Sequence, residues 1–194
     1  MNGHVDVWLI ALDAESAIVL SPDEELRAAR FRFESDRVRW MRAHSGLRTI
    51  LAGSTGMAPL DIQFVLGPHG KPSVAGVDGV EFSLSHAGDW AMVAVTAGVP
   101  VGIDIERIRE NVDMAALLRR LGERDLPTGQ VELFRAWTRR EAVTKAAGGA
   151  LLDAPSGDFR IRDLDAPEGY SAAVALIGHE PLVLPHGTVP ALLK

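Results

Sequence analysis

One stretch of this chain, Phe134 to Gly149 (FRAWTRREAVTKAAGG), limits the possible folds more than any other. It is rich in helix-forming residues, and a Gly-Gly pair follows shortly after Lys145, so it predicts one amphipathic helix with a C-terminal stop. On that helix Trp137, Glu141 and Lys145 are spaced i, i+4, i+8 and share a face. Taken alone, the pattern reads more simply as a core tryptophan beside a surface Glu–Lys pair worth a few tenths of a kcal/mol. Its interest comes from a second set of groups upstream, the carboxylates Asp104 and Glu106 together with the Ser85-His86 pair.

A chain of 194 residues has room for one sizeable domain or two small lobes and can bury a real core. Its formal charge of −6 argues against general nucleic-acid or anionic-membrane binding, which uses a broadly basic surface. An anionic ligand must therefore meet a local basic patch. There is no cysteine, so disulfides and thiolate metal sites are excluded. The apolar run from Val7 to Leu12 is short and ends at Asp13, which predicts neither a signal peptide nor a membrane span, and the chain is expected to be cytoplasmic.

Along the chain, Val5 to Leu12 reads as a strand. Ser21-Pro22-Asp23-Glu24 matches a helix start, with serine as N-cap, proline at the first position and Glu24 where a capping box needs it. Seven arginines follow: Arg27, Arg30, Arg32, Arg37, Arg39, Arg42 and Arg48. They form either a solvated face or a grip for phosphate, for which the guanidinium is well shaped. Trp40, Ala43, Leu47 and Leu51 recur at helical spacing, predicting a second helix from about Ser35. A break at Gly53 to Pro59, a strand at Ile62 to Leu66 and a turn-rich loop at Gly67 to Pro72 come next.

Val80 to Leu84 alternates as a strand that is expected to run out at Ser85-His86 and resume over Ala91 to Thr96. Adjacent residues in extended chain point to opposite sides, so Ser85 and His86 cannot be a nucleophile and its own base. In Val99 to Glu106, Ile103 and Ile105 face one way and Asp104 and Glu106 the other. Two like charges in a row are relieved by solvent or by a cation, and a divalent metal is one such cation. A helix is expected from about Asp113 to Leu121, and β-like runs at Phe159 to Ile161, Ser171 to Ile177 and Leu182 to Leu184.

Read together, Gly70-Lys71-Pro72, FSLSHAGDW at Phe82 to Trp90, VGIDIE at Val101 to Glu106 and W-T-R-R-E-A-x-x-K at Trp137 to Lys145 form a pattern. In order and spacing they resemble the 4'-phosphopantetheinyl transferases of the larger, pseudo-dimeric class that activates surfactin synthetase. The resemblance spans roughly Ser21 to Leu152. It implies an α+β (α/β) fold of two similar lobes, 1–98 and 99–194, each a small sheet packed with helices, with the site in the cleft between them.

The implied activity moves the phosphopantetheine arm of coenzyme A to a serine of an apo acyl or peptidyl carrier protein, with Mg2+, releasing 3',5'-ADP. The metal carboxylates would be Asp104, Glu106 and Glu141, and the chemistry would fall to Glu141 and Lys145. The coenzyme A residues would be Arg39, Lys71, Ser85, His86 and Lys145, with Arg27 and Arg30. The partners implied are coenzyme A and the carrier protein, without nucleic acid or membrane, and the chain is expected to be a monomer.

The chain departs from the family pattern in three places. Arg140 stands where lysine is usual before the helix glutamate, Ala150 stands where a glycine is common, and the region after Leu152 is short. Three rival readings use some of the same residues. They are a non-catalytic coenzyme A or carrier-binding module, a metal-dependent phosphohydrolase, and a serine hydrolase on Ser85, which lacks a G-x-S-x-G elbow.

Overall fold

The computed structural model describes residues 4–67, 69–149, 157–178, 182–184 and, for the backbone alone, 191–193. The first half runs β1 (Val5–Ala11), α1 (Pro22–Ala28), α2 (Glu34–Thr55), a small hairpin of β2 (Phe64–Leu66) and β3 (Pro72–Val74), then β4 (Val80–Ala87) and β5 (Trp90–Ala97). The second half runs β6 (Val101–Arg107), α3 (Met114–Arg120), α4 (Gln130–Ala147), β7 (Phe159–Leu164) and β8 (Tyr170–Ile177), with β9 (Ala191–Leu193) last.

Leaving the β2–β3 hairpin aside, each half repeats one order: strand, short helix, long helix, and two strands. The sheets repeat as well. One has the order β4-β5-β1-β9 and the other β6-β8-β7, so β4-β5-β1 corresponds to β7-β8-β6 and every one of those neighbours is antiparallel. This is the expected α+β architecture of two similar lobes. One strand crosses over: β9 lies parallel to β1, with Leu9 opposite Leu192, in the first sheet.

In the two larger sheets, β5, β6 and β8 are covered on both faces. Val5, Val7, Leu9, Met92 and Ala94 of the first sheet meet Val101, Ile103, Ile105, Val174 and Leu176 of the second in a shared core. The opposite face of the first sheet takes α2, where Ala43, Leu47, Ile50 and Leu51 pack on Ile10, Ala91 and Val93. The opposite face of the second takes α4 through Ala142, Val143 and Ala146 against Ala173 and Ala175. The near-continuous apolar runs of β5 and β8 follow from this, because an alternating strand would leave one covered face polar. Among the described residues, no helix is long and apolar enough to cross a membrane.

The helix starts form as their residues dictate. Ser21 accepts the Glu24 amide and Glu24 accepts the Ser21 amide at 2.9 Å, a complete capping box on α1. Asp113 caps α3 through the Ala116 amide. Both long helices end on a left-handed glycine, Gly56 for α2 and Gly148 for α4.

Elsewhere the elements differ from expectation. α4 starts four residues earlier than expected. β4 runs unbroken through Ser85-His86 to Ala87, because its backbone ladder with β5 continues to the turn at Gly88-Asp89. Val183 forms only an isolated bridge to His4, and the strand at 191–193 was not anticipated. Ala150 lies outside the described residues.

Candidate functional site

Two strands from different lobes, β4 and β6, lie side by side without pairing their backbones, and serines join them. Ser83 Oγ accepts the Ile103 amide at 3.1 Å, and Ser85 Oγ donates to Asp104 Oδ1 at 2.8 Å. α4 then closes on the same place. Lys145 Nζ donates to Asp104 Oδ1 at 2.6 Å and to Ser85 Oγ at 2.9 Å, tying the two lobes and the long helix at one point.

Gly102 makes this approach possible. A Cβ there would sit 2.0 Å from the Ala142 carbonyl oxygen and 2.4 Å from the Ala146 nitrogen, both backbone atoms of α4. Any side chain at 102 would lift the helix away from the strand, and Lys145 with it.

Asp104 is almost wholly buried, and its second oxygen, Oδ2, has no hydrogen-bond partner. The two other predicted carboxylates are half-buried nearby. Burial, then the charge of Asp104, raises the Glu106 carboxyl above its ordinary range, partly offset by Arg109, Lys145 and the Trp137 indole. Burial and Asp104 likewise raise Glu141, against Lys145 and Arg140, and Glu106 adds to the rise. Two carboxyls raised by the charge of a third, beside that third group's orphaned buried oxygen, form a donor set that suits a hard, oxygen-loving cation. As the side chains stand, Lys145 is the cation on Asp104. Among the described residues no three His, Cys, Asp or Glu side chains close into a metal cage.

The cluster borders a cleft of about 1030 Å³ whose largely apolar wall carries the cations Arg27, Arg48, Lys71 and Lys145. Of the residues predicted to hold an anionic ligand, Arg27, Lys71, His86 and Lys145 line it. Ser85 sits behind it in the seam just described. Arg30 lies in an adjoining depression with Arg27, Phe31 and Arg32. Arg39 is engaged elsewhere, donating twice to Asp89 Oδ1, at 2.6 and 3.1 Å.

Lys71 serves a structural purpose as well, donating to the backbone carbonyls of Val101 at 3.1 Å and Ala146 at 3.4 Å. It thereby fastens the β2–β3 hairpin to the start of β6 and the end of α4. Burial lowers its ammonium below the ordinary lysine range despite Glu81 nearby. His86 keeps an exposed edge, yet burial, then the charges of His44 and Lys145, lower its imidazole. Arg140 donates to Glu123 at 2.8 Å, and its charge also acts on the neighbouring Glu141.

Sequence reasoning missed part of the cleft wall. His44 and Arg48 both line it and stand with Trp40 on one face of α2. Arg48 is fully buried, donating to Glu24 Oε2 at 2.6 Å and to the carbonyls of Pro59 and Ile62. The i, i+4, i+8 spacing with Trp40 is the signal that marks them, although among seven arginines it does not tell a buried guanidinium from a solvated one. Its partner, Glu24, lies on another helix.

Residues 10–98 match the family model described as "4'-phosphopantetheinyl transferase, N-terminal". The chain is 34% identical over 169 residues to the 4'-phosphopantetheinyl transferase HetI of Nostoc sp., covering 78% of this chain and 71% of HetI. It is 30% identical to a Bacillus subtilis 4'-phosphopantetheinyl transferase (84% and 74% covered) and 24% identical to Sfp of Bacillus subtilis strain 168 (78% and 73%).

Proposed function

This chain belongs to the 4'-phosphopantetheinyl transferase family, and from that premise we propose that it transfers the phosphopantetheine arm of coenzyme A to a serine of an apo acyl or peptidyl carrier protein, releasing 3',5'-ADP. The observation that carries this reading is the meeting of the Asp104–Ser85–Lys145 junction with a cleft of about 1030 Å³ that carries Arg27, Arg48, Lys71 and Lys145 on its wall.

Coenzyme A brings a pyrophosphate and a further phosphate, so its binding calls for several donors on one wall, and Arg27, Lys71, His86 and Lys145 supply them. Lys145, at the junction of lobe, lobe and helix, is placed to steady the pyrophosphate as negative charge builds on the departing 3',5'-ADP. The carrier's serine oxygen attacks the phosphorus bearing the pantetheine arm, and the bond from that phosphorus to the bridging oxygen of the pyrophosphate breaks. Glu141 receives the serine proton, a task suited to a carboxyl raised above its ordinary range by burial and Asp104. Asp104, Glu106 and Glu141 would hold Mg2+, which when bound neutralises pyrophosphate charge.

Two rivals are less well supported. A hydrolase using Ser85 would need a free hydroxyl, whereas the Ser85 proton is already given to a buried carboxylate. A non-catalytic coenzyme A-binding module would have no use for two carboxyls raised by the charge of a third.

The decisive measurement is the intact mass of an apo carrier protein after incubation with this protein, coenzyme A and Mg2+. A gain of one phosphopantetheine that disappears with chelator supports the reading. An unchanged carrier, or coenzyme A cleaved without any carrier, refutes it. The cytoplasm, the monomeric state and a division of the chain into 1–98 and 99–194 belong to the same proposal.

A further inference from the structure

His44 occupies an unusual position on the cleft wall. Its ring lies on Trp40 with centroids 3.9 Å apart and planes 28° off parallel. Arg27 lies over the same indole at 5.5 Å. His44 Nδ1 stands 3.6 Å from Glu24 Oε1, a buried oxygen that has no hydrogen-bond partner. The other oxygen of Glu24 is fully used, accepting Arg48 Nε at 2.6 Å and the Ser21 amide at 2.9 Å. Glu24 is held ionised, its pKa lowered to about 2 by His44, Arg48 and the Ser21 amide against the cost of burial.

A buried carboxylate with one spare oxygen aimed at one imidazole nitrogen favours the tautomer with its proton on that nitrogen. The second nitrogen, Nε2, makes no hydrogen bond among the described residues, and the ring lines the cleft. Neutral, Nε2 is an acceptor. With a second proton it becomes a donor, which is what an anionic ligand requires.

We propose that His44 is a binding residue for a phosphate group of the ligand in the cleft, and that Glu24 acts through it as a positioning residue. This inference rests on the coenzyme A reading above. The ligand's charge draws a proton onto His44 as it binds. Glu24 faces the ring from α1. Arg48 follows one turn along α2, His86 of β4 lines the same cleft, and Arg27 lies over the Trp40 ring. The Trp40 stack and the Glu24 carboxylate hold the imidazole in place beforehand, so little side-chain entropy is lost on binding.

The test is calorimetric titration of coenzyme A into the full chain near pH 7, in buffers of differing ionisation heat, for wild type, His44→Phe, Glu24→Gln and the double variant. His44→Phe keeps an aromatic ring on Trp40 and leaves the Glu24–Arg48 pair intact, so it should fold as wild type. We expect it to weaken binding about tenfold, as loss of a charged hydrogen bond does, and to lower the proton uptake that accompanies binding. Glu24→Gln should give a similar loss, and the double variant little more than either single one, because the two act as a unit.

Wild-type affinity and proton uptake in His44→Phe would overturn the inference while leaving the cleft's role standing. Fully additive losses would reduce Glu24 to a structural part and overturn its positioning role. Failure of the wild-type protein to bind coenzyme A would overturn the functional reading and this inference together.

Discussion

The corresponding long helices α2 and α4 each carry a tryptophan followed by two polar side chains at four-residue intervals. They are Trp40, His44 and Arg48 on α2, and Trp137, Glu141 and Lys145 on α4. Each ladder ends beside a buried carboxylate bound to its last member, Glu24 to Arg48 at 2.6 Å and Asp104 to Lys145 at 2.6 Å. In both pairs one carboxylate oxygen is left without a partner.

The electrostatic outcomes are opposite. Around Glu24 cations and donors dominate, and its pKa falls to about 2. Around Asp104 further carboxylates gather, and both Glu106 and Glu141 rise. The repeated fold places a charged pair in each lobe. The first lobe spends it on holding α1, α2 and the 59–64 segment together, while the second gathers further carboxylates, Glu106 and Glu141, beside its pair. A site with unrelieved charge is where a cation or a reacting proton has something to gain.

Glu141→Gln tests the second lobe most severely. Under the proposed chemistry, turnover should fall by roughly 10²–10⁴-fold or more. Stability at pH 7 should rise in the same variant. A carboxyl whose folded pKa is raised destabilises the fold once the pH exceeds that value, and glutamine removes the penalty. A variant that loses neither activity nor gains melting temperature would erase the contrast between the lobes.

Arg48→Met tests the first lobe, since it leaves Glu24 buried with its main cation gone. A loss of about 3–5 kcal/mol in denaturant unfolding is expected. The acid side adds a signature. Glu24 stabilises the fold above its unfolded pKa and ceases to do so as pH falls from 4.5 toward about 2, so Arg48→Met should flatten that acid loss of stability. An unchanged acid limb would mean that the pair does not anchor the lobe.

Gly102→Ala asks whether the second ladder depends on close backbone contact. Forcing α4 away from β6 should cost roughly 1–3 kcal/mol, and turnover should drop because Lys145 leaves Asp104. Wild-type activity with a normal melting temperature would show that the helix can yield without cost. The smallest effect expected is from metal alone. Mg2+ should raise the melting temperature by a few degrees at pH 7 and less as acid protonates the carboxylates, and this shift should vanish in Glu141→Gln. A shift that survives the substitution would place the ion elsewhere.

Part of this was visible in residue order because it depends on local geometry. A capping box, helix stops at glycine, and the alignment of Trp137, Glu141 and Lys145 follow from backbone periodicity alone, and the structure contains each of them. The family pattern was equally legible, since its motifs are short and contiguous. The partnership of Ser85 with Asp104 and Lys145 could not be read that way. It exists because β4 and β6 lie side by side through serine hydrogen bonds, and because a residue without a side chain at Gly102 lets α4 come close.

The opposite charge balance of the two lobes was likewise hidden. Helical spacing sets Arg48 in line with Trp40 and His44, but only packing buries it against Glu24, 24 residues away. The chain's residue order determined which elements form and which chemical groups they carry. Tertiary contact decided which of those groups lose water together, and burial is what separates a paired charge that anchors from an unpaired one that reacts.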